Sequence, residues 1–205
     1  MTTYNWSTFS LPNPAAFRRQ RITNTAGAPS PLTGAIQTAE RAGGRWRLII
    51  EWVVSGADRD ALEGLLSRLN GMQHRLALPM FGHTVRGAWS GTPVVDGASQ
   101  TGYSLNLRGG GLSVTNYARA GDFFSFDNCV RMVTADADTD GSGDVTLEIW
   151  PPIRTSPADA TAVDITAPEG VYMLREMAEV PVDDVLASGE LLSRIECVFE
   201  DDVLA

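Results

Sequence analysis

The chain contains no lysine: all 16 of its basic residues are arginine. We read this as a compositional bias of a GC-rich coding sequence rather than a physical requirement. It still bears on motifs. Gly97-Ala-Ser-Gln-Thr-Gly102 has the glycine spacing of a phosphate loop, but Tyr103 stands where a lysine should follow. Arg108-Gly109-Gly110-Gly111 is no dinucleotide fingerprint, and no helix pattern follows it. Both stretches read as turns. Cysteine is nearly absent as well. Cys129 and Cys197 lie far apart, match no metal or redox spacing, and read as reduced core thiols. The two histidines, His74 and His83, have no metal-ligand spacing between them, and His83 reads as a surface or interface residue. No Gly-x-Ser-x-Gly elbow occurs, and the pairs Asp183-Asp184 and Asp201-Asp202 sit in polar sequence that reads as solvated charge. The expectation is a protein that is not an enzyme and carries no cofactor. No apolar run approaches the roughly 18 residues of a membrane helix, and the N-terminus has no signal-peptide pattern. We therefore expect no membrane insertion and assembly in a cytoplasm.

The 205 residues are 43% hydrophobic, enough to bury a sizeable core in one large domain or two small ones. Charge is divided unevenly. Residues 1–100 carry 10 arginines against 6 acids, whereas residues 101–205 carry 6 against 19. A net charge of −9 makes a dedicated nucleic-acid binder a poor expectation. The asymmetry would let a basic surface of one copy meet an acidic surface of the next, although composition alone also accounts for it.

Regular structure is clearest between Arg45 and Phe81. Trp46, Leu48, Ile50, Trp52 and Val54 alternate with Arg45, Arg47 and Glu51, the period of a half-buried strand. Ser55, three residues before Asp58, resembles a capping box, and Leu62, Leu65, Leu66 and Leu69 follow at helical spacing up to Gly71. Leu76, Leu78 and Met80 return to alternation. The pattern predicts strand, amphipathic helix, strand.

Residues 1–33 are punctuated by Pro12, Pro14, Pro29 and Pro31 and read as an extended arm with one short strand near residues 17–24. Arg18, Arg19 and Arg21 form a small cluster that reads as a solvated or partner-facing strand edge, and residues 34–40 as a further strand. From about 84 to 168, short β runs are separated by Gly, Asp and Asn, which suggests a small barrel or sandwich closed by Pro151-Pro152. Trp89, Trp150 and Tyr103 in this stretch read as core or interface aromatics, with sugar stacking as the other option. Leu191, Ser193, Ile195, Cys197 and Phe199 alternate in a last strand like that of Trp46–Val54. We expect it to pair with the central unit. The fold class is mainly β (α+β), with one amphipathic helix. A first, discontinuous domain spans 1–83 and 170–205, and an inserted small β-barrel domain spans 84–169.

Asp136, Asp138, Asp140 and Asp144, around Gly141, match the first half of a calcium loop. Leu147 occupies the twelfth position, where a bidentate carboxylate is needed, and the flanks read as strands. A hairpin loop fits better than a metal site.

Several stretches carry a resemblance. These are Ser30-Pro31-Leu32-Thr33-Gly34-Ala35-Ile36-Gln37-Thr38 with Gly43–Leu48, Leu65–Gly71, Ala120–Phe126, Met132–Asp136 and Leu147–Arg154, about a fifth of the chain. In this order they resemble tail proteins of long-tailed (siphovirus-type) bacteriophages and prophages, and are similar to the distal tail protein family. The resemblance implies a structural virion protein. It would form a hexameric ring with a tail-tube-like β-sandwich or barrel domain, enclosing a DNA channel at the tail tip. Partners would be the tail tube protein on one side and the baseplate hub or tail fibre protein on the other, with DNA passing without specific binding. From it follows a further expectation: the strands beginning near Arg45 and Leu191 join across subunits. Arg45, Arg47, Glu51, Arg194, Glu196 and Glu200 would then face an acidic channel or a neighbour. Another baseplate or tube component, or a monomeric calcium- or carbohydrate-binding β module, is the alternative.

Overall fold

The computed structural model describes residues 1–40, 43–178, 184–185 and 191–201. Strands hold 48% of the residues and helices 9%, so the fold is mainly β, with curled sheets that form half-barrels. The elements run β1 (Thr3–Asn5), a 3-10 turn (Trp6–Thr8), β2 (Ala16–Ile22), β3 (Thr25–Pro29), β4 (Ile36–Glu40), β5 (Arg45–Ser55) and α1 (Gly56–Leu69). Then come β6 (Arg75–Pro79), β7 (Gly91–Val95), β8 (Gly102–Gly110), β9 (Phe123–Phe126), β10 (Cys129–Val133), β11 (Val145–Ile153), β12 (Glu169–Ala178), β13 (Asp184–Val185) and β14 (Leu191–Asp201).

The larger sheet has the order β1-β6-β12-β14-β5-β2, with β13 beside β14. Its centre is the antiparallel pair β5–β14, in register from Leu192↔Ser55 to Glu200↔Arg47. The last strand therefore does return to the central unit. It does so within one chain, which overturns the expectation that β5 and β14 join across subunits: both are interior strands whose two edges are already paired. Between β6 and β12 the chain builds a second sheet, β7-β8-β11-β10-β9, with its own core around Leu105, Leu107, Phe124, Val133 and Leu147.

Alternation decides the faces of β5. Trp46, Leu48, Ile50, Trp52 and Val54 are all buried, together with Leu62, Leu65, Leu66 and Leu69 of α1. Ser55 stands at the helix N-cap but makes no side-chain cap hydrogen bond, so the capping box is not formed. At the other end Asn70 and Gly71 both take left-handed φ (47° and 62°) and turn the chain into β6. Trp46 lies under the second sheet. Its ring meets Trp150 edge-on at 4.4 Å and Phe123 at 5.6 Å, and its Nε1–H donates to the Val130 carbonyl at 3.2 Å. Trp150 is thus interface packing.

Three local expectations need correction. The N-terminal arm contributes to the core: Trp6 stacks on Trp52 at 5.2 Å, and Phe9 and Leu11 pack beside them. Pro151-Pro152 does not end β11, which continues to Ile153 past a register shift and a cis Trp150–Pro151 bond. Gly109 and Gly110 lie inside β8 rather than in a turn. There a side chain at Gly91 would collide with the Gly109 carbonyl, so glycine permits the close strand approach.

Asp122 organises the connections of the second sheet. It is fully buried and accepts from the backbone N–H of Arg86, Gly87 and Arg119 and from Trp89 Nε1–H, at 2.9–3.0 Å. Burial alone would raise its pKa, but these four donors hold it below its ordinary 3.8. Its contribution to stability is therefore present above pH 4 and lost as pH falls. Asp122→Ala leaves four donors without their acceptor. We expect a loss of roughly 3–5 kcal/mol, read as a lower denaturant midpoint at unchanged slope.

Candidate functional site

The polar face of the larger sheet is the best-developed surface. Register places Arg45, Arg47 and Glu51 of β5 and Arg194, Glu196 and Glu200 of β14 on it together, opposite the face that α1 covers. Glu200 is only 3% exposed and sits among three arginines. Arg47 Nη2 lies at 2.6 Å, Arg45 Nε at 3.0 Å and Arg175 Nε at 3.7 Å. Burial pushes its carboxyl up, but the hydrogen bonds from Arg47 and Arg45 outweigh that and hold it below 4.5. Glu51 stands directly opposite Glu196, an unfavourable like-charge pair, and Arg194 Nη2 binds Glu51 at 2.7 Å.

The same face carries Arg18, Arg75, Glu169 and Glu176 by register. Among the described residues this makes six arginines (18, 45, 47, 75, 175, 194) against five glutamates (51, 169, 176, 196, 200). By this count the face is nearly balanced rather than acidic, and two of the acids, Glu51 and Glu200, are tied to arginines of the same chain. Glu200→Arg would bring a fourth guanidinium against Arg45, Arg47 and Arg175 and should destabilise the fold. Even the mild change Glu200→Gln should cost about 1–2 kcal/mol. That is less than a fully buried pair because the arginines are partly in water. The loss should shrink with added salt, and thermal unfolding at two salt concentrations checks it.

Asp201, read from sequence as solvated, is buried at the end of β14 on the opposite face, where Oδ2 accepts from the Trp46 backbone N–H at 2.9 Å. Its partner in sequence, Asp202, lies outside the described residues, as does Asp183. Burial outweighs the Trp46 hydrogen bond and the fields of Arg131, Arg154 and Arg45, and pushes Asp201 up to about 6. The folded state thus holds a proton that the unfolded chain has released. Stability falls as pH rises from 3.8 to about 6 and then levels, by roughly 3 kcal/mol. Asp201→Asn keeps an acceptor for Trp46 without that cost. Its stability relative to the parent should rise over this window and match it near pH 4. Equal pH profiles for the two proteins would refute the assignment.

The aspartate-rich loop is a connection between β10 and β11, and its acids serve separate purposes. Asp136 accepts from Ala120 N–H, Asp138 from Asn116 N–H, and Asp140 from the N–H groups of Ser142 and Asp144. Among the described residues no three acidic, His or Cys side chains gather as a metal site. Three of the four candidate carboxylates, Asp136, Asp138 and Asp140, are instead aimed at backbone donors. His83 Nε2 accepts from Phe123 N–H at 3.2 Å, and burial lowers its pKa. His74 Nδ1 accepts from Thr2 N–H at 3.1 Å. Both cysteines are free thiols; burial pushes Cys197 up to about 12 and raises Cys129 as well. Trp89 is tied to Asp122, and Tyr103 is exposed.

Two features had no sequence signal strong enough to name them. One is a cleft of about 490 Å³ lined by Asn13, Pro14, Phe17, Arg19, Phe81 and Gly82. The other is the antiparallel ribbon β3–β4, which pairs with no other strand and is exposed along its length. Of these, the sequence showed the strand over residues 34–40, which is β4, but neither its pairing with β3 nor the meeting of Phe17 with Phe81. No protein-family model matches the chain, and no curated protein matches it. No helix is long and apolar enough to cross a membrane among the described residues.

Proposed function

We propose that the chain is a structural subunit of a long-tailed phage, forming a hexameric ring at the distal end of the tail. There it would join the tail tube to the baseplate hub or fibre. The phage assignment rests on the resemblance in residues 30–38, 43–48, 65–71, 120–126, 132–136 and 147–154. The observation that carries self-assembly is physical: β2 is a bare edge of a large sheet, and the ribbon that continues from it lies uncovered. Exposed edges and flat exposed ribbons are surfaces that an isolated soluble protein normally blunts. Ring closure removes them.

In such a ring the Arg/Glu face would line the channel. Arginines already bound to glutamates present little net charge, so DNA would slide past with few counterions to release and little tendency to stick. Light scattering on the purified protein should give a mass near six times 22.0 kDa, unchanged by calcium. Antibodies against the chain should label the tail end of intact virions. A monomer whose melting temperature rises with calcium, or virions that bind no antibody, would sink this reading.

A further inference from the structure

The ribbon projects beyond the sheet, and an open cleft lies beside β2. β2 and β3 are separated only by residues 23–24, and β4 leads through residues 41–44 into β5. The pairs Ile22↔Arg45 and Thr25↔Glu40 make β2–β5 and β3–β4 one interrupted ribbon that runs beyond the sheet. At its end Ser30 N–H donates to the Ala35 carbonyl and Gly34 N–H to the Ser30 carbonyl, which lifts Pro31-Leu32-Thr33 to the tip. Leu32 is 94% exposed and Ile36 68%. Residues 25–39 contain no charged side chain, so covering this tip strips water from no ion. A two-stranded ribbon alone is marginal in water and gains from being covered.

The cleft joins an apolar wall to the polar side chains of Asn13 and Arg19. Phe17 and Phe81 meet edge to face at 5.4 Å, and Phe81 is braced against Trp6 at 5.9 Å, so the apolar wall is already rigid. Arg19 closes one side, its guanidinium held 4.6 Å over the Phe123 ring, where it is placed to donate to a turn carbonyl. The chain does not fill its own cleft. From Arg19 to the end of β3 there is about 30 Å of strand, leading away from the cleft.

Resting on the ring reading above, we propose that Leu32 at the ribbon tip docks into the Phe17/Phe81 cleft of the next copy of this chain, head to tail. A tip and a cleft on different parts of one surface make a heterologous contact, the kind that closes rings.

Leu32 touches no core, so Leu32→Asp should fold with unchanged circular dichroism and melting temperature. Its self-association should weaken about tenfold or more, as when an apolar anchor is lost from an interface. In parallel, Leu32→Cys and Asn13→Cys proteins are mixed under mild oxidation, with the parent chain as control for Cys129 and Cys197. A covalent dimer that forms only in the mixture, together with a smaller mass for Leu32→Asp, is the expected result. A full-mass ring of Leu32→Asp overturns the tip-to-cleft contact and leaves the ring reading standing. Leu32→Cys cross-linking to itself overturns it in favour of a two-fold contact. A parent protein that is monomeric at every concentration, with no cross-link in the mixture, overturns both.

Discussion

Everything in this fold hangs on the pairing of β5 with β14. Nine consecutive residue pairs join segments 137 positions apart at Ser55 and Leu192. Closing so long a loop costs only slightly more entropy than closing a short one, because the penalty grows with the logarithm of length. The pairing can therefore tolerate a whole second sheet between its strands, provided the ends of β6 and β12 lie close together. They do: Glu169 pairs with Pro79 at the point where the chain leaves and re-enters.

The two sheets are joined through Trp46. It belongs to β5 by register, yet its ring is covered by Trp150 and Phe123 and its indole N–H is taken by Val130. The strand beneath it is held by a carboxylate, Asp201, in a place too dry for its charge. Arg131 and Arg154 soften that conflict without removing it, since burial still wins. An apolar residue at 201 would avoid the penalty but would leave the Trp46 N–H without its acceptor at the edge of a buried interface. The acid is retained where the backbone needs a partner more than the side chain needs water.

Much of this was legible in the sequence, and what was hidden was hidden for physical reasons. Alternation in Arg45–Val54 and Leu191–Phe199 and the leucine spacing of α1 identified the elements and their buried faces, because those signals depend only on local geometry. Which strand neighbours which is a long-range property, so β5 and β14 looked equally suited to pairing across subunits. Trp6, Phe9 and Leu11 were lost among prolines and polar residues, where single apolar anchors make no period. Asp122 and Asp201 were unreadable for a related reason. A buried carboxylate and a solvated one have the same letter, and only converging backbone donors separate them. The aspartate-rich loop misled in the other direction: spacing suited to one ion serves Ala120, Asn116, Ser142 and Asp144 separately.

The arrangement of the arginines follows from the same geometry. β5 and β14 each place most of their charged residues on one face, among Ile49, Val53 and Val198, and antiparallel register brings Glu200 beside Arg47 and Glu196 beside Glu51. The first pairing is favourable and the second is not, so Arg194 is needed to reconcile it. Glu200 and Glu51 are thereby tied laterally to arginines along the sheet. The apolar demands of the chain are met elsewhere: under α1, beneath the second sheet, and, where nothing of its own reaches, at the tip of the ribbon. Leu32 and Ile36 put two exposed apolar side chains close together on the projecting arm, whereas Val53, Met72 and Leu112 are exposed singly elsewhere. In the ring proposed above, the arm would set the direction of contact, and the Arg/Glu face would be left to line the space the copies enclose.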